Sequence, residues 1–67
     1  MSLQLGEVVR RLRTERGLTQ LQLARELNVS PQAVSRWENG STYPDITLLP
    51  EIANFFGVSA DLLLGIE

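Results

Sequence analysis

Side chains able to do covalent chemistry are scarce in this sequence. It contains no histidine and no cysteine, so the commonest general base, the commonest metal ligand and any thiolate are missing. Its carboxylates form no pair in a recognisable pocket frame, and it has no glycine-rich phosphate loop. What remains is hydrogen bonding by amides, hydroxyls and guanidinium groups. The stretch Gln20 to Asn39, QLQLARELNVSPQAVSRWEN, gathers such groups into one polar ridge. Val34 and Trp37 are three apart and turn to the same side of a helix, which leaves Gln32, Ser35 and Arg36 outside. A glutamine amide pairs bidentately with an adenine edge, and an arginine with O6 and N7 of guanine.

The elements that must hold this ridge are two helices and a tight turn. Leu23 and Leu27 are four apart and share one face; small Ala24 lets a second helix come close, and Val29 plugs the corner. Asn28 stands where the first helix must stop, and asparagine tolerates the left-handed conformation better than most residues. Ser30 then Pro31 starts the second helix, a hydroxyl cap followed by a ring whose missing N–H costs nothing there. Trp37 belongs to the core rather than to a stacking platform, on its spacing with Val34. This is the layout of a helix-turn-helix, whose second helix enters the DNA major groove.

The rest of the chain reads as three more helices. Leu5, Val8, Val9 and Leu12 form an inward stripe on a helix from about Gln4 to Arg16, ended by Gly17. Thr19 caps the next helix, Gln22 completes its capping box, and Leu18 with Leu23 forms the hydrophobic staple. Val29-Ser30 with Val34, and Val58-Ser59 with Leu63, repeat that device. Helix starts at 20, 31 and 60 follow. Asn39 to Pro44 is turn chemistry, with Tyr43 open to packing or to a phosphate. Ile46, Leu49, Ile52, Ala53 and Phe56 fall on one face of a fourth helix, closed by Gly57. That helix starts either at an Asp45 cap, with Pro50 bending it, or near Leu49, with 45 to 48 a looser turn. Ala60 to Leu64 makes a short fifth helix before Gly65. Leu62, Leu63, Leu64 and Ile66 exceed what it can bury; two reach the core, and the rest suit a dimer surface or a seam to a further domain.

Composition sets the remaining bounds. Sixty-seven residues make one small domain, 1–67, with no cysteine staple. Met1-Ser2-Leu3 is given no structural weight. No apolar run approaches the roughly 20 residues that cross a bilayer, and no signal-peptide pattern opens the chain. The expectation is a soluble, cytoplasmic, all-α protein without cofactor, metal, membrane contact or evident small-molecule site. Net charge is −2 but unevenly placed. Residues 1 to 36 carry six arginines against three acids, +3; residues 37 to 67 carry five acids and no base, −5. A basic face with an acidic back orients a domain on a polyanion.

GLTQ (Gly17 to Gln20), Leu23-Ala24, WENG (Trp37 to Gly40), YPD (Tyr43 to Asp45) and FGVSADLLLG (Phe56 to Gly65), in this order and spacing, resemble the Xre/Cro/C1-type, lambda-repressor-like helix-turn-helix family. The likeness spans about residues 5 to 65. It implies a compact five-helix fold and a sequence-specific regulator, usually a repressor, that binds double-stranded DNA as a homodimer on a pseudo-palindromic operator. It further implies that helix 3, Pro31 to Glu38, enters the groove, with base contacts from Ser30, Pro31, Gln32, Ser35 and Arg36. Pro31 departs from the polar residue that many family members carry there. Phosphate contacts are implied for Gln20 and Asn39, helped by Ser41 and Thr42. Arg13 and Glu38 match a pair that bridges helix 1 to the end of helix 3 and orients it. Each of Arg10, Arg11, Arg16 and Arg25 reads more readily as a surface charge than as a clamp. A protein-interaction module or an antitoxin on the same fold is the alternative, favoured by the acidic net charge and the absence of lysine. An enzyme is excluded by the missing chemistry above.

Overall fold

The computed structural model describes residues 4–66, so Met1-Ser2-Leu3 and Glu67 lie outside the described residues. Five helices follow in order: α1 Leu5–Glu15, α2 Gln20–Leu27, α3 Pro31–Glu38, α4 Leu49–Phe56 and α5 Ala60–Leu64, with no strand among the described residues.

One connection is used repeatedly. Every helix ends on a residue of left-handed conformation: Gly17, Asn28, Gly40, Gly57 and Gly65. In each case that residue's N–H bonds three residues back and the next N–H bonds five back, as in Gly17 N to Thr14 O and Leu18 N to Arg13 O, both 3.0 Å. This bond pair satisfies carbonyls that a helix end leaves open. After α1, α2 and α4 the next residue is Leu18, Val29 or Val58, each partly buried, with Val29 and Val58 packed on the core. A hydroxyl cap follows at once: Thr19 accepts from Gln22 N, Ser30 from Ala33 N and Ser59 from Leu62 N. The same apolar residue therefore closes one helix and staples the next. Asn28 is the one non-glycine among the described residues with positive φ, at 59°, and it makes the turn between α2 and α3.

The segment after α3 breaks the pattern, because Ser41 is polar and no cap follows. Residues 45–48 form the looser turn, with Leu48 N on Asp45 O at 2.8 Å and Thr47 N on Asp45 Oδ1 at 3.2 Å. Helix α4 begins at Leu49, with Pro50 in its first turn where its missing N–H is harmless. The alternative of a helix capped by Asp45 is thereby ruled out. Ile46 consequently leaves the inner stripe. It lies in the turn with 77% of its surface exposed, a correction to the shared face expected from its spacing.

The core is built from Leu5, Val8 and Val9 of α1, Leu23, Ala24 and Leu27 of α2, Val34 and Trp37 of α3, Ile52, Ala53 and Phe56 of α4, and Leu63 of α5. Leu12, Val29, Leu49 and Leu64 pack against it half-buried. Leu63 and Leu64 are thus the two C-terminal leucines that reach the core, while Ile66 stays 63% exposed. Helix α3 touches both α2 and α1, and α1 also receives α5. Arg16 lies over the rings of Phe55 and Phe56, at 5.1 and 5.3 Å from their centroids, and ties the end of α1 to the end of α4.

Candidate nucleic-acid interface

Helix α3 has two unlike sides. Val34 and Trp37 are buried at 0% and 4% exposure, and their burial against α1 and α2 fixes the helix by its apolar stripe. Gln32 and Arg36, one turn apart, are exposed; Ser35 and Pro31 are half-buried, and Ser30 is exposed at the cap. Ser30 Oγ accepts from Ala33 N at 3.1 Å, which leaves its own proton free to donate. Arg36 makes no ion pair among the described residues, nor do Arg11 and Arg25, which are also exposed.

The segment beyond α3 is arranged around Arg36 O, which accepts from Ser41 N at 2.9 Å and Thr42 N at 3.3 Å. Those two N–H groups face inward, so residues 41 and 42 offer only their exposed hydroxyls. Asn39 Oδ1 accepts from Ser41 N at 2.9 Å. That bond occupies the amide oxygen and leaves the –NH₂ as a donor, the polarity an anion requires.

The far end of α3 docks on α1 through one carboxylate. Glu38 has only 1% of its side chain exposed. Arg13 forks onto it, Nε to Oε2 at 2.6 Å and Nη2 to Oε1 at 3.0 Å. Arg13 Nη1 also donates to Leu18 O at 2.7 Å, just before α2. Gln20 Nε2 donates to Glu38 Oε1 at 3.0 Å. Arg10 Nη2 donates to the Glu38 carbonyl oxygen at 3.2 Å, and its Nε lies 3.6 Å from Oε1. Burial alone would push the Glu38 carboxyl up. The bonds from Arg13 and Gln20 and the charges of Arg13 and Arg10 outweigh it and hold the group below its ordinary value. The Glu38 bond likewise raises Arg13 above its ordinary value, against the opposing effect of burial.

The family resemblance pairs Arg13 with Glu38 but leaves two participants unseen. One is Arg10, expected as a surface charge and found capping the carbonyl end of α3. The other is Gly6, buried where α1 meets the carbonyls of Trp37 and Glu38. Positions 6, 10 and 13 follow i, i+4, i+7, a second face of α1 beside its apolar stripe. A lone glycine inside a helical pattern was the available signal. Gln20, expected at a phosphate by resemblance, is engaged with the same carboxylate.

With this geometry in view, the likenesses to known proteins fall into place. A helix-turn-helix family profile matches residues 9–63, and the chain belongs to that family. It is 45% identical over 65 residues to the HTH-type transcriptional activator BcrR of Enterococcus faecalis, covering 97% of this chain and 32% of that protein. The chain thus spans about a third of this relative. Among solved structures, a transcriptional regulator from Listeria innocua superposes with TM-score 0.90 at 38% identity, over 97% of this chain and 61% of that one. The P22 c2 repressor in complex with a synthetic operator superposes with TM-score 0.88 at 30% identity, over the full length of both chains.

Proposed function

We propose that this chain is a DNA-binding unit of a transcriptional regulator, reading double-stranded operator DNA in the major groove with α3. The observation that carries the reading is the two-sidedness of that helix. Val34 and Trp37 are locked in the core while Gln32 and Arg36 stand exposed on the outside. Ser30, Pro31 and Ser35 complete the base-facing set, Pro31 offering only an apolar contact to a thymine methyl. Gln20, Asn39 and the hydroxyls of Ser41 and Thr42 flank it as phosphate contacts. The P22 c2 repressor, which superposes over its full length, is itself in complex with an operator, and this supports duplex DNA as the ligand.

Repression by operator occupancy needs nothing beyond these surfaces. A homodimer on a pseudo-palindromic site places two α3 helices about 34–36 Å apart, one duplex turn. Exposed Ile66 and half-buried Leu62 at the C-terminal end supply apolar surface for such a pairing. No helix among the described residues is long and apolar enough to cross a membrane.

Selection from randomised duplexes at moderate salt tests the proposal. The expected outcome is an enriched site with two-fold symmetry. Its affinity should fall roughly 10³-fold between 50 and 200 mM salt for a protein touching about six phosphates. Absence of any salt-dependent duplex binding overturns it and favours a protein-interaction module.

A further inference from the structure

We propose that Glu38 is a positioning residue for DNA binding, whose buried carboxylate sets the orientation of the Gln20 amide and so presents an N–H, not an oxygen, to a backbone phosphate. The inference rests on the preceding reading of Gln20 as a phosphate contact and adds how that contact is prepared.

A glutamine amide has two ends of nearly equal size and opposite polarity. Only the nitrogen end can serve a phosphate, because phosphate oxygens accept and do not donate. An unheld amide samples both ends. Here the choice is made in advance. An ionised carboxylate has no proton to give, so it accepts Gln20 Nε2 at 3.0 Å and repels Gln20 Oε1. The nitrogen carries two protons, and one bond to Glu38 leaves the second free. Burial shields the carboxylate from water, and its low pKa keeps it ionised.

The backbone beneath Gln20 is held by the same cluster. Arg13, bound to both oxygens of Glu38, spends its third nitrogen on Leu18 O at 2.7 Å, two residues before Gln20. The start of α2 is thus pinned through its chain by Arg13 and through its side chain by Glu38. Because Glu38 is also the last residue of α3, one group registers the phosphate-facing helix against the groove-reading helix. The positive charges of Arg10 and Arg13 exceed the single negative charge of Glu38, so the cluster does not repel an approaching phosphate.

A double-mutant cycle on the selected operator tests this, with Gln20→Ala, Glu38→Gln and both together, each followed by duplex titration and thermal melting. Each single change is expected to weaken binding about 10-fold, and the pair no more than the worse single, since contacting residues couple on this scale. If the two losses multiply instead, Glu38 acts only through the fold and the inference is overturned, while the proposed function stands. A wild-type protein that binds no duplex overturns the function itself. One measurement needs no variant and no DNA. The side-chain –NH₂ of Gln20 is expected to exchange with water more slowly than that of exposed Gln32. Equal rates overturn the positioning role even should Glu38→Gln fail to fold.

Discussion

A β-carbon added to Gly6 would collide with the backbone carbonyl oxygen of Trp37 and lie 3.1 Å from that of Glu38. Helix α1 therefore meets the end of α3 backbone to backbone. In an open helix, Gly→Ala is worth up to about 1 kcal/mol in favour of alanine. Here the obstacle is main chain, which cannot swing aside as a side chain can. Gly6→Ala is expected to lower stability by about 1–3 kcal/mol, the usual cost of overpacking. Denaturant unfolding measures it, and a gain in stability would show that the two helices stand further apart. Because the displaced atoms belong to α3, duplex affinity is expected to fall with it.

Acid stability follows from Glu38. Its carboxyl titrates at about 4.5 when unfolded and lower when folded. The unfolded chain thus takes up this proton first as pH falls. Its contribution is complete above about pH 4.5 and disappears as pH drops through the lower folded value. Arg13→Ala shrinks this contribution. With its strongest partner gone, less opposes burial and the carboxyl rises from its wild-type position. Removing one partner of a buried pair costs about 3–5 kcal/mol near neutrality, and the gap to wild type is expected to narrow in acid as Glu38 becomes neutral. Melting temperatures of both proteins from pH 7 to pH 3 test this, and a gap constant with pH would refute it.

Helix starts at 20, 31 and 60 were legible because each is written locally, in an apolar residue, a hydroxyl and a second apolar residue four positions beyond the hydroxyl. The turn at Asn28 was equally local. The start of α4 was not, since Asp45 and Pro50 carry conflicting local signals and the decision rests on how 45–48 fold back. Ile46 misled for that reason: its spacing suits a helix it does not join. The basic cluster was half legible. Arg13 and Glu38 emerged from the family pattern, but Arg10 and Gln20 join them through contacts 28 and 18 residues distant in sequence. No local pattern encodes such contacts. Arg16 likewise looked like a spare cation until α4 brought two rings beneath it.

That stacking makes its own prediction. Arg16 sits over the T-shaped pair Phe55 and Phe56, whose centroids are 5.0 Å apart. Arg16→Gln keeps an unbranched polar side chain but shortens it and removes the charge. It is expected to lower stability by about 0.5–1 kcal/mol, the range for an exposed cation–π contact, while leaving base preference intact. Thermal melting reads the first effect and competition between duplexes the second. A change in base preference would move Arg16 into the interface.

The division of labour on α3 can be separated by which sequences suffer. Arg36 reaches outward from the last turn with no side-chain partner among the described residues, so its five donors are free for a planar acceptor edge such as guanine O6 and N7. Arg36→Ala is expected to cost about 1–3 kcal/mol on the selected operator and to flatten preference at one base position in each half-site. The phosphate contact proposed for Asn39 predicts a different pattern: Asn39→Ala removes a donor that any sequence can use, so affinity is expected to fall alike on operator and non-operator duplexes. Titrating both variants against the operator and its single-base substitutions distinguishes these patterns. If Arg36→Ala also weakens all sequences equally, its guanidinium lies on the backbone and the base reading falls to Gln32 and its neighbours.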